Sequence, residues 1–134
     1  MKHVTARLIL SIILACSTGT ARSGSQRRVP CKTPANAKAC YWTRGRLSGY
    51  NGTPEFRIWK IGSHRLLGVY SGPFVDRKSL DNENPEFPLN VKEKFRPFKN
   101  RIFAEFEVCP LEPEKPGAMQ AVCVESAKNV VGRE

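Results

Sequence analysis

One stretch of thirty residues, 41–70, restricts the folding choices of this chain more than any other: YWTRGRLSGYNGTPEFRIWKIGSHRLLGVY. Asn51-Gly52 is a strong hairpin signal, because both residues tolerate the positive φ that a tight turn between twisted strands demands. Gly62-Ser63 serves a second turn in the same way. The stretch therefore reads as three antiparallel strands, 40–50, 55–61 and 65–70. Apolar and polar side chains alternate along them, so that Leu47, Phe56 and Ile58 share one side of the ribbon. Trp42, Arg44, Arg46, Arg57 and Trp59 share the other.

Register follows from the length of the first turn. A two-residue turn sets Leu47 opposite Phe56 and Gly45 opposite Ile58, with Trp42 facing Ile61, Arg44 facing Trp59 and Arg46 facing Arg57. A four-residue loop, 51–54, slides every pair but keeps both faces, because the shift is even. A three-residue loop with a bulge at Gly52 would mix the faces. The even registers are the expectation. Gly45 and Gly49, inside the first strand, mark a bend or bulge of the kind a curling sheet uses.

Beyond residue 70 the pattern changes. Residues 71–88 carry Gly72, three prolines and the run Asp81-Asn82-Glu83-Asn84, which reads as a surface loop. In 89–98, Leu89, Val91, Phe95 and Phe98 alternate with charges, and Pro97 closes the segment, as in a short helix. Residues 101–109 alternate again, Ile102, Ala104, Phe106 and Val108 against Phe103, Glu105, Glu107 and Cys109, and form a fourth strand. A proline-rich loop, 110–117, leads to a fifth strand, 118–131. Three strands, a short helix and two more strands resembles the element order of the OB-fold, a five-stranded Greek-key barrel. The fold class expected is thus all-β with one short helix, a small OB-like barrel, with a small β-sandwich as the alternative. The resemblance implies a ligand face on strands two and three, flanked by the loops 51–54 and 110–117.

The first residues do not belong to that domain. Lys2 and Arg7 precede an apolar run, 8–15, and small residues follow, the three-part layout of a secretory leader with cleavage after Ala21. The run is too short for a permanent membrane span. Ile13-Leu14-Ala15-Cys16 offers a second route, a lipoprotein box in which Cys16 would be acylated and residues 1–15 removed. Residues 22–30, polar and basic, read as a disordered tether, and 31–134 as a single domain. Either route leaves Cys31, Cys40, Cys109 and Cys123, an even set that in an exported chain argues for disulfides. Spacing favours the local pairs Cys31–Cys40 and Cys109–Cys123, and a hairpin folded about Pro116 sets Cys109 opposite Cys123. Zinc is the weaker reading, since no pair has close ligand spacing.

The formal charge is +10, less two when Lys2 and Arg7 leave with the leader, and the positive residues gather before residue 102. Such asymmetry steers anionic partners to one side. Arginines interleaved with rings at Trp42, Arg44, Arg46, Arg57 and Trp59 hold anions by charge, cation–π contact and stacking. The ordinary alternative is an aromatic pair capping the barrel beneath arginine stems. The acidic Glu112 and Glu114, and export itself, argue against nucleic acid as partner. No motif calls for a metal or cofactor. Asp81 and Glu83 lack the spacing of a calcium loop.

These features lead to an exported, non-catalytic binding or accessory module, secreted, periplasmic or lipid-anchored, for an anionic ligand or an envelope protein. The membrane is expected to matter only through the leader or the lipid. A small hydrolase using Ser63 and His64, and a purely structural envelope component, are the alternatives. The hydrolase requires an orienting carboxylate that adjacency in a turn does not supply.

Overall fold

The computed structural model describes residues 29–72 and 84–134. The leader with its cleavage site, Cys16, most of the tether, and Asp81 and Glu83 lie outside the described residues. Five strands, β1 (Tyr41–Gly49), β2 (Phe56–Lys60), β3 (Leu66–Val69), β4 (Arg101–Pro110) and β5 (Gln120–Arg133), close into a barrel in the order β1-β2-β3-β5-β4. All neighbours are antiparallel except β3 and β5. One short helix, α1 (Leu89–Lys92), lies between β3 and β4, and a 3-10 turn, Ala37–Ala39, precedes β1. The expected small all-β barrel is what the chain forms.

The core is the inward half of each alternation. Leu47, Ile58, Leu67, Ile102, Phe106, Val108, Val122 and Val124 are fully buried. Gly45 also faces this interior: a Cβ there would collide with Ile58 and come within 3.1 Å of the Phe106 ring. It makes no bulge, because β1 pairs without a break with both β2 and β4. The helix and the turn after it plug one end. Phe56, Phe87 and Phe95 meet edge to face there, with centroids 5.6–5.8 Å apart. Asn90 and Lys94 donate to the Ala127 and Val130 carbonyls of β5. The helix is shorter than the expected 89–98, because Asn100 captures the chain: its amide donates to Lys94 O and its carbonyl accepts from Arg96 N.

The first hairpin takes the four-residue loop, with the Tyr50 amide bonded to the Glu55 carbonyl. Leu47 therefore faces Ile58, Gly49 faces Phe56 and Arg46 faces Trp59. The two-residue register, with Arg46 opposite Arg57, is corrected: Ser48 lies opposite Arg57. Like charges directly across a ribbon repel, and this shift separates them.

Irregularity sits in β4 and β5 instead. Between Phe103 and Glu105 on β4, β5 passes from Val131 to Lys128, so β5 carries an extra residue, and Asn129 adopts φ 53°. A second shift separates Glu107/Ser126 from Val108/Val124. The fifth strand consequently keeps Ala127 and Val130 inside although they are three residues apart.

All four cysteines are oxidised, but the local pairing is corrected. The bonds are Cys31–Cys123 and Cys40–Cys109. Cys109 does lie opposite Cys123, as the hairpin requires. The segment 31–40 lies across these two strands and gives each strand cysteine its own partner. Asn36 shapes that segment, bonding Cys31 O and Thr33 N. At the end of the expected tether, Val29 N donates to Glu86 and its side chain packs on Gly72.

Candidate functional site

Alternation places Trp42, Arg44 and Arg46 of β1 on the outside of the barrel, and Arg57 and Trp59 of β2 beside them. One row across four strands reads Trp59, Arg46, Phe103, Val131. The row next to it holds Ile61, whose amide bonds Arg44 O, then Arg44 and Glu105. The Arg46 guanidinium lies over the Trp59 ring at 5.0 Å, and Arg133 lies over Phe103 at 5.3 Å. Trp59 is fixed from below by its Nε1–H, which donates to Ser63 O at 2.7 Å. Between Arg44 and Ile61 on one side and Val131 and Arg133 on the other lies a recess of about 350 Å³, floored by Phe103 and Ala104.

Of the five residues picked from the sequence, Arg44 lines the recess, and Arg46 and Trp59 form a stacked pair in the row beside it. Trp42 stands one row further on, opposite Glu107, with the Lys128 ammonium 4.0 Å over its ring. Arg57 is drawn away, stacked over Tyr50 and donating through Nε to Pro54 O. The sequence reading missed Phe103, Val131 and Arg133. Phe103 had left a signal, an aromatic on the polar side of the fourth strand. Val131 and Arg133 had none, because the bulge at Asn129 decides which way they point.

The acids nearby are already engaged. Glu105 accepts from Asn129 Nδ2 at 2.7 Å. Glu107 accepts from Lys32 Nζ at 2.5 Å, and that hydrogen bond holds its carboxyl below the usual carboxylate value against the opposing effect of burial. Arg44, Arg46 and Arg133, in contrast, take part in no ion pair among the described residues. The Arg46 Nε is buried without a hydrogen-bond partner. The recess itself holds two guanidiniums, Arg44 and Arg133, against the one carboxylate of Glu105, so its charge is net positive.

A second recess, of about 380 Å³, lies between the loops after β1 and after β4, the two that the OB-like order singled out. Thr53 and Pro54 meet Glu112, Lys115 and Met119 there, over Gly68. Gly68 is required: a Cβ would sit 2.7 Å from Pro54 Cγ. Its charges balance, one lysine against one glutamate whose Oε1 already accepts from Ala121 N. At the barrel edge below, Arg65 pairs with Glu114 at 2.6 Å. Burial first, and Glu114 second, push the Tyr41 hydroxyl pKa up, with Arg65 opposing.

Ser63 and His64 lie in the turn between β2 and β3. The Ser63 hydroxyl donates to Lys60 O and accepts from Arg65 N, closing the turn, while His64 is exposed and has no carboxylate partner among the described residues. The sulfurs of Cys31, Cys109 and Cys123 lie within 4.8 Å of one another, but each is bound in a disulfide and none is a thiolate ligand. Comparison of the chain with protein-family models, with curated proteins and with solved structures finds no match.

Proposed function

We propose that this protein is an exported, non-catalytic binding module that takes an anionic ligand on the outer face of β1 and β4. The observation that carries the reading is a set of three guanidiniums without ion pairs among the described residues, Arg44 and Arg133 lining one recess and Arg46 stacked on Trp59 in the row beside it. Guanidinium forks match carboxylate, sulfate and phosphate oxygens in pairs, and an unpaired cluster gains most from an anion that brings two or more such groups. The leader ahead of residue 22 and the cysteine set support export, since such bonds persist in oxidising compartments.

The test is binding of a labelled polyphosphate and of dextran sulfate to the mature chain, followed by anisotropy at two salt concentrations. Arg44→Ala with Arg46→Ala should weaken binding about tenfold or more, the effect of losing two charge-assisted contacts. Binding that is undiminished in the double variant places the anion elsewhere and overturns the assignment.

A further inference from the structure

Five cation–π pairs occur among the described residues, where one or two is about the ordinary frequency for a chain of this size. Three of them lie on the proposed face: Lys128 over Trp42, Arg46 over Trp59 and Arg133 over Phe103. Each ring already has a cation over it. A nucleobase or a sugar ring that stacked there would have to displace that cation, so flat stacking is the recognition mode this face is least prepared for. What it leaves outward are the edges of the cations and apolar side chains between them.

Those side chains are unusual for a surface. Trp42 is 43% exposed, Ile61 37% and Val131 48%, three of the five large apolar residues that the described barrel exposes. They lie within neighbouring rows of the same four strands, where rows are about 7 Å apart and strands about 4.8 Å. Lys128, Arg44 and Arg133 stand among them. Aliphatic prongs have nothing to offer a polyphosphate or a sulfated glycan, both of which are polar throughout. They do match a layer that is anionic at its surface and apolar a few ångströms below. Basic side chains gain from an anionic lipid surface, aliphatic ones from the acyl boundary, and tryptophan from the interface between.

We infer that the anionic partner of this face is a phospholipid membrane surface, with Ile61, Val131 and Trp42 entering the headgroup boundary and Arg44, Arg46, Arg133 and Lys128 meeting lipid phosphates. The inference rests on the anion-binding reading above and names its source. It assigns to the folded barrel a lipid contact, where sequence alone led to one only through the leader or an acyl chain on Cys16.

The experiment is co-sedimentation of the unacylated mature chain from residue 22 with phosphatidylcholine vesicles, with and without 30% phosphatidylglycerol (a chosen composition, roughly the anionic share that gives a strong surface potential). Retention is expected on the anionic vesicles and not on the neutral ones. Ile61→Ser with Val131→Ser, which leaves the charge of the face unchanged, should lower it about tenfold or more, as two partly buried aliphatic side chains are lost from the layer. An unchanged near-ultraviolet circular dichroism spectrum reports that this variant is folded. Vesicle retention that the prong variant leaves unchanged overturns the inference, since charge alone would explain it. Binding to soluble polyphosphate or dextran sulfate without vesicle retention overturns the lipid assignment and leaves the anion-binding reading intact. Binding to neither overturns both.

Discussion

Glu107 is buried on a mostly basic face, and Lys32 reaches across from the N-terminal segment to meet it. Its carboxyl is held below the ordinary 4.5, chiefly by that hydrogen bond. A carboxyl whose folded value is depressed stabilises the fold above its unfolded value, and the contribution disappears as pH falls through the folded one. The parent protein should therefore lose more stability than Glu107→Gln between about pH 5 and pH 3, measured by urea denaturation at each pH. The Lys32 end is wet, which limits the difference to about 1 kcal/mol. Equal losses in the two proteins would mean that the pair contributes nothing to folding. At this scale the sequence carried the kinds of residue but not their partners. Arg46 and Trp59 could be placed on one outer face from alternation alone, whereas Lys32 with Glu107 spans 75 positions and obeys no local rule.

The elements were legible wherever the period stayed at two. β1 and β2 present Leu47, Phe56 and Ile58 inward because alternation and an even loop leave no other choice, although two even registers satisfied it equally and only the folded loop decides between them. β5 is where the period fails. Asn129 sits at φ 53° and inserts an extra residue, so that Val130 turns inward and Val131 outward beside Phe103. Asparagine tolerates this left-handed conformation and a β-branched residue does not. Asn129→Gly should thus keep the bulge and lose only the bond to Glu105, with little change in stability. Asn129→Val should cost about 1–3 kcal/mol and pull Val131 and Arg133 out of line, weakening polyanion binding as well. Denaturation and anisotropy on the two variants check both outcomes. If Asn129→Val binds as the parent does, the bulge does not position the face.

For the whole molecule, the cysteines decide how the barrel is closed against its own N-terminus. Short spacing pointed to local bonds, but the cost of loop closure rises only slowly with length, so spacing discriminates weakly once the fold brings all four sulfurs together. The two bonds are nested: Cys40–Cys109 spans 69 positions inside the 92 spanned by Cys31–Cys123. With either one present, the other constrains only the arms 31–40 and 109–123, and its removal should cost about 3 kcal/mol by the loop-entropy relation. Removing both releases the long loop too, for a total of about 8 kcal/mol on the same relation, comparable to the whole stability of a domain this size. The Cys40→Ser/Cys109→Ser and Cys31→Ser/Cys123→Ser chains should therefore each remain folded with a lowered denaturation midpoint. The chain lacking all four should be largely unfolded at 25 °C by near-ultraviolet circular dichroism. Order of reduction provides the companion measurement. Cys31, Cys109 and Cys123 are fully buried and Cys40 is not, so a limiting water-soluble phosphine should open Cys40–Cys109 first and leave Cys31–Cys123 intact. A folded chain without cysteines would show instead that core burial alone holds the barrel, and that the bonds only tie the segment 31–40 to its surface.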